Sequence, residues 1–210
     1  TLGDRALLQH DGGTWAWDGT IWAHLTPAVG PSPRRGATLV SRGDKLTLFG
    51  GYDGTYLGDT WEWDGTTWTQ CSSSPSPSPR IGHAMAALGS KVVLVGGNDS
   101  IRQFADTWEW DGTTWAERGE PRPLDRFAAA MTTLGTEVVL FGGDSAGFLG
   151  DTWSWNGTGW TLHSPPSSPP ARSHHAMATQ GAKAWLFGGG DTSGVLSDTW
   201  AWDGTSWSLM

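Results

Sequence analysis

The chain has 210 residues, of which 13 are Lys or Arg and 21 are Asp or Glu, giving a net charge of −8. Phosphate binding needs clustered cations, so with Lys45, Lys91 and Lys183 as the only lysines nucleic acid is excluded as the main partner. A single cysteine, Cys71, excludes an intrachain disulfide framework, no apolar run is long enough for membrane insertion, and no motif calls for a cofactor.

In chain order, Thr1-Leu2-Gly3 matches Thr133-Leu134-Gly135, which lies partway through a repeated unit. The first unit is therefore expected to lack its inner strand and to continue with a strand at Arg5 to Gln9, a loop at Asp11-Gly12-Gly13 and a hairpin from Thr14 to Trp22. From Pro33 the unit is complete: a strand over Arg34 to Val40, a turn at Arg42-Gly43-Asp44, a strand over Leu46 to Phe49, then Gly50-Gly51. Its counterparts are Arg80 to Ala87 with Val92 to Gly97, Arg126 to Thr133 with Val138 to Gly143, and Arg172 to Thr179 with Ala184 to Gly189. The leading arginines, Arg34, Arg80, Arg126 and Arg172, stand 46 residues apart each time. The Ser/Pro stretches from Ser72 to Pro79 and from Ser164 to Pro170 fall at a fixed place between units and read as connectors.

Each unit closes with one ten-residue stretch, Asp59-Thr-Trp-Glu-Trp-Asp-Gly-Thr-Thr-Trp68, repeated at Asp106 to Trp115, Asp151 to Trp160 and Asp198 to Trp207. Together with the shorter first copy, these stretches hold 15 of the 16 tryptophans. Asp-Gly, or Asn156-Gly157, supplies the positive backbone angles of a tight turn between two strands. A two-residue loop would set Trp61 opposite Trp68, and a four-residue loop would set Trp63 there. Either register puts all three indoles on one face. Each indole buries about 150–250 Å², roughly 4–6 kcal/mol gross as an upper bound. A lone hairpin cannot cover three of them, so the neighbouring unit must.

Four short strands repeating every 46 residues, rich in Gly and aromatics, predict a β-propeller of four-stranded antiparallel blades. Arg80-x-x-His83-Ala-Met85, the apolar strand ending in Gly96-Gly97, and Asp106-Thr-Trp108-x-Trp110 before Trp115 resemble the kelch repeat over nearly the whole chain. The resemblance implies an all-β kelch-type propeller with the Arg-led strand innermost. The expected blades are 1–26 (partial), 33–70, 79–117, 125–163 and 171–210. They make either a five-bladed ring or part of a larger one, and the five-bladed ring is the reading adopted. Departures from the pattern are Ala37 and Ala129, where the other copies carry His, and Trp where many kelch units carry Tyr.

Loop lengths locate the variable face. Gly50 to Asp59 spans 9 residues against 10 for Gly96 to Asp106, and the blade-to-blade connectors vary as well. Both kinds of segment open on one side of an up-and-down blade, where repeat proteins bind. The four arginines enter their strands on that side. They could clamp a carboxylate, or pair with Asp59, Asp106, Asp151 and Asp198 or with backbone carbonyls. In kelch proteins that bind acidic peptides the Arg at this motif position contributes to the pocket, and the resemblance carries that role to Arg34, Arg80, Arg126 and Arg172. His83 and His175 are expected to line the channel rather than hold a metal, because they lie in alternate blades. Asp53, Asp99, Asp144 and Asp191 read as turn aspartates. Tyr56 and Phe148, with Tyr52 and Phe104, do not repeat strictly and are candidate contacts.

No nucleophile elbow, zinc motif, phosphate loop or carboxylate pair is present. The expectation is a non-catalytic scaffold that binds a protein or acidic peptide. The alternatives are a carbohydrate-binding propeller using loop aromatics and a structural module of an extracellular assembly. The compartment stays open, with an extracellular or cell-surface setting slightly favoured. The Arg-over-Lys bias and the Gly and Ala content fit a bacterial source.

Overall fold

A computed structural model describes residues 6–10, 13–119 and 122–210. Five antiparallel sheets form a ring, a five-bladed β-propeller. Among the described residues blade 1 has three strands: β1 Ala6–His10, β2 Gly13–Trp17 and β3 Trp22–Leu25. Blade 2 has four: β4 Thr38–Arg42, β5 Lys45–Tyr52, β6 Tyr56–Trp63 and β7 Trp68–Cys71. Blade 3 comprises β8 Ala84–Leu88, β9 Lys91–Val95, β10 Thr107–Trp110 and β11 Trp115–Arg118. Blade 4 comprises β12 Ala130–Leu134, β13 Glu137–Asp144, β14 Phe148–Trp155 and β15 Trp160–His163. Blade 5 comprises β16 Ala176–Gln180 and β17 Lys183–Phe187, a small hairpin of β18 Gly190–Asp191 and β19 Gly194–Val195, then β20 Thr199–Trp202 and β21 Trp207–Leu209. The expectations at Thr1 to Arg5 and Asp11-Gly12 lie outside the described residues.

The hairpins adopt the four-residue loop, with Trp63 opposite Trp68, Trp110 opposite Trp115, Trp155 opposite Trp160 and Trp202 opposite Trp207. The reason is local: the Asp64 carboxylate accepts from the Thr66 and Thr67 amides, which closes a wider turn than Asp-Gly alone would. The indoles face the preceding blade. Trp115 and Trp110 pack in one cluster with Phe49 of blade 2, and Trp155 and Trp160 with Val93 and Val95 of blade 3. The last indole of each hairpin also donates to a threonine of the preceding blade: Trp68 to Thr14, Trp115 to Thr60, Trp160 to Thr107 and Trp207 to Thr152, each at 2.9 Å.

The inner strands begin four residues later than the sequence suggests. Two residues after each arginine the chain turns left-handed, at Gly36 (φ 68°), Gly82 (φ 65°), Ala128 (φ 53°) and His174 (φ 59°). That kink lets the blades pass backbone bonds around the axis, Ala128 N to Gly82 O at 2.7 Å and His174 N to Ala128 O at 2.9 Å. The second and third strands alternate in length. In blades 2 and 4 they run eight residues each through the glycine pair, with a bulge after Phe49 and Phe141. In blades 3 and 5 the loop is one residue longer, so that ladder stops at Val95 and Phe187.

Candidate functional site

Each leading arginine is buried and clamped to the aspartate that opens its own hairpin. The Arg80 guanidinium donates to both carboxylate oxygens of Asp106 at 2.5 and 2.7 Å, to Gly96 O at 2.9 Å and to Ser78 O at 2.9 Å. Arg34 with Asp59, Arg126 with Asp151 and Arg172 with Asp198 repeat the arrangement. The first indole of each hairpin completes the cage, with Trp61, Trp108, Trp153 and Trp200 donating to the same aspartates at 2.6–2.8 Å. Burial alone would raise the Asp151 carboxyl, but hydrogen bonds and charge from Arg126 outweigh it and hold it low. The hydrogen bonds from Arg172 bring Asp198 down to about 2.

The arginine backbones serve the preceding blade. Gly51 donates to Arg80 O, Gly97 to Arg126 O and Gly143 to Arg172 O at 2.8–2.9 Å, while the Arg80 and Arg172 amides donate back to Leu57 O and Leu149 O at 3.0 Å. A Cβ on Gly142 would sit 2.6 Å from Arg172 O, so that approach requires glycine. Of the two roles open to these arginines, this geometry is the pairing one, and direct contact with a ligand would require a guanidinium to leave its aspartate.

His83 and His175 are buried between blades. Their rings meet Phe49 and Phe141 edge-on at 5.5 and 5.6 Å. Burial, then the nearby arginine charge, lowers His83 to about 3 and His175 to about 4, so both are neutral near pH 7. They pack a junction instead of presenting a ring to a channel. Among the described residues no group of three or more His, Cys, Asp or Glu gathers as metal ligands. The Asp53, Asp99 and Asp191 carboxylates cap their own turns.

The loops between second and third strands and the ends of the connectors meet at one end of the blades, bridged as Arg35 to Tyr52, Ile81 to Asn98, Phe127 to Asp144 and Ser173 to Gly190. Here the chain offers contact groups. Tyr56 is half-buried and stacks edge-on with Tyr52 at 5.2 Å, with the exposed Arg35 5.0 Å above Tyr52. Arg102, also exposed, lies over Phe104, which is buried between it and Arg80. Phe148 lines a concavity of about 580 Å³ with His174, Asp144, Asp191 and Val195. Ile101 and Val195 stand at loop tips, 89 % and 95 % exposed. Sequence reasoning missed Arg35, Ile101, Arg102, His174 and Val195. The available signal was that Ile101, Arg102 and Val195 occupy the unequal loops and that His174 breaks the glycine rule at the left-handed position, while Arg35, beside a repeated arginine, carried no such mark.

Blades clamped by an internal Arg–Asp pair and sealed by an indole ladder, with unequal loops gathered at one end, define a repeat propeller with a rigid body and a variable face. A family model described as the KLHDC2/KLHL20/DRC7 Kelch-repeats domain matches residues 14–118, half of the chain. The chain belongs to the kelch-repeat family. No curated protein matches it.

Proposed function

We propose that this propeller is a non-catalytic scaffold that binds a protein or peptide on the face bearing the unequal loops. The observation that carries the reading is a division of labour. The repeated residues spend their bonding groups inside the blades, while Ile101, Val195, Arg35 and Arg102 stand exposed at the loop ends beside Tyr52, Tyr56 and Phe148. Kelch propellers are generally binding modules, which supports the same reading.

An acidic peptide is the partner chemistry adopted, with Arg35 and Arg102 as its first contacts. Arg34, Arg80, Arg126 and Arg172 stay in the site as the clamps that hold these loops in place, and His83 and His175 as the packing beneath them. The carbohydrate alternative draws on Tyr56 and Phe148, but Tyr56 already spends one ring edge on Tyr52.

The experiment is a binding screen of acidic peptides and glycans, followed by titration of the double variant Arg35→Ala, Arg102→Ala. An acidic-peptide hit weakened about tenfold or more by the double variant, which stays folded, is the expected result. Unchanged affinity, or hits confined to glycans, would overturn the reading.

A further inference from the structure

At two junctions between blades, a buried glutamate on the third strand takes the middle indole of the next hairpin. Glu62 accepts from Trp110 Nε1 at 3.0 Å, and Arg42 and Lys45 hold it at 2.7 and 2.9 Å. Glu109 accepts from Trp155 Nε1 at 2.9 Å, and from Lys91 and Arg118 at 2.8 and 2.7 Å. Each cluster is one carboxylate set between an indole N–H and two cations. It lies at the turns that follow the first strands, the end of the blades away from the unequal loops.

Between blades 4 and 5 the indole is kept and its partners are exchanged. Ser154 stands at the place of the glutamate, Glu137 at that of Lys45 and Lys91, and His163 at that of Arg118. The Ser154 hydroxyl is taken by His163 Nε2 at 2.9 Å. Trp202 is 1 % exposed, with the centre of the His163 ring 5.3 Å from its own. Its indole N–H makes no hydrogen bond among the described residues, an unfavourable state for a buried donor. Trp202, His163 and Glu137 line a cleft of about 540 Å³ together with the apolar Leu134, Val139 and Ala182. Asp203 also borders it but spends its carboxylate on Thr205 and Ser206 of its own turn.

We propose that this cleft binds a free α-amino acid with an apolar side chain. The ligand carboxylate takes the place of the absent glutamate and accepts from the Trp202 N–H. The ligand ammonium pairs with Glu137, which is negative where Lys45 and Lys91 are positive. The cluster of the other two junctions is thereby rebuilt, with the acid on the ligand and the ionic partner reversed in sign. A simple anion would bring nothing for Glu137, and a simple amine would bring no acceptor for the indole. The side chain rests on Leu134 and Val139. The equivalent cleft between blades 3 and 4, about 440 Å³, carries Lys91 and Glu109 already joined to each other and offers neither group. Recognition at the loop face plays no part in this site.

The test titrates the intact chain with L-leucine and follows the Trp202 indole N–H resonance, which Trp202→Phe identifies by its loss. A saturable shift at millimolar leucine is expected, with isocaproate and isoamylamine, which each lack one of the two charged groups, binding at least about tenfold more weakly. Glu137→Gln should weaken leucine about tenfold, and Ser154→Glu combined with Glu137→Lys, which copies the third blade, should abolish its binding. No shift at about 10 mM leucine would overturn the proposal. Equal binding of either single-charge analogue, or unchanged binding by Glu137→Gln, would also overturn it.

Discussion

Phe141 and Phe187 occupy the same place in consecutive blades, on the second strand immediately before a glycine pair. Phe141 is fully buried, under His175 at 5.6 Å and Trp207 at 5.3 Å, whereas Phe187 is 57 % exposed. Nothing within the two blades accounts for the difference, since Leu140 and Leu186 beside them are both buried. Burial in this molecule is a property of the junction and not of the blade. Each sheet packs one face on the blade before it, as Leu186 and Trp202 do, and the apolar side chains on its other face are buried only when the following blade is in place.

The widest separation between sealed and open positions should come from deleting these two rings. Phe141→Ala opens a cavity in a packed junction and should cost about 3–5 kcal/mol, whereas Phe187→Ala should cost less than about 1 kcal/mol. Urea melts of the two variants check this, and equal costs would erase the distinction.

Acid should come next and should act first through the sealed junctions, before the clamping aspartates titrate. The folded-state values of His83 and His175, about 3 and about 4, lie below the ordinary value near 6.5. The unfolded chain therefore takes up protons first. Stability is whole above about pH 6.5 and falls as the pH drops toward 4, by about 1 kcal/mol for each histidine at pH 5.5. Replacing both by alanine, the residue already present at Ala37 and Ala129, should flatten the melting temperature across that range.

The smallest effect expected is at the indole–threonine bonds. Trp115→Phe loses the bond to Thr60 and leaves a buried hydroxyl without its donor, which should cost about 1 kcal/mol. Trp22→Phe has no such bond to lose among the described residues and should be close to neutral by the same melts.

The sequence disclosed the architecture because the constraints that build it recur. The leading arginines and the glycine pairs return every 46 residues, Trp63 and Trp68 keep a constant separation within each hairpin, and the indole ladder could be inferred to stack between sheets. The register was left open between two loops because the side-chain bonds of Asp64 to Thr66 and Thr67 decide it, and spacing alone does not encode them. The kink after each arginine was hidden because Ala128 and His174 adopt a conformation usually signalled by glycine. Also unforeseen were Glu62 and Glu109, buried carboxylates that take the Trp110 and Trp155 indoles of the next blade along with Arg42 and Lys45, or Lys91 and Arg118. These pairs cross blades with no repeated letter in blades 4 and 5 to mark them, since Ser154 and Ala201 stand there. The loop face was legible only as a location, because exposed contact residues differ from blade to blade and periodicity cannot find what does not repeat.

The arginine clamps have a mechanical corollary. Because each guanidinium holds its own sheet while its main chain fastens the sheet before it, tearing out one blade unlatches its predecessor as well. Pulled from the fifth blade, the ring should come apart in sequence toward the first, each rupture exposing the next latch, as a row of interlocking tiles lifts from its loose end.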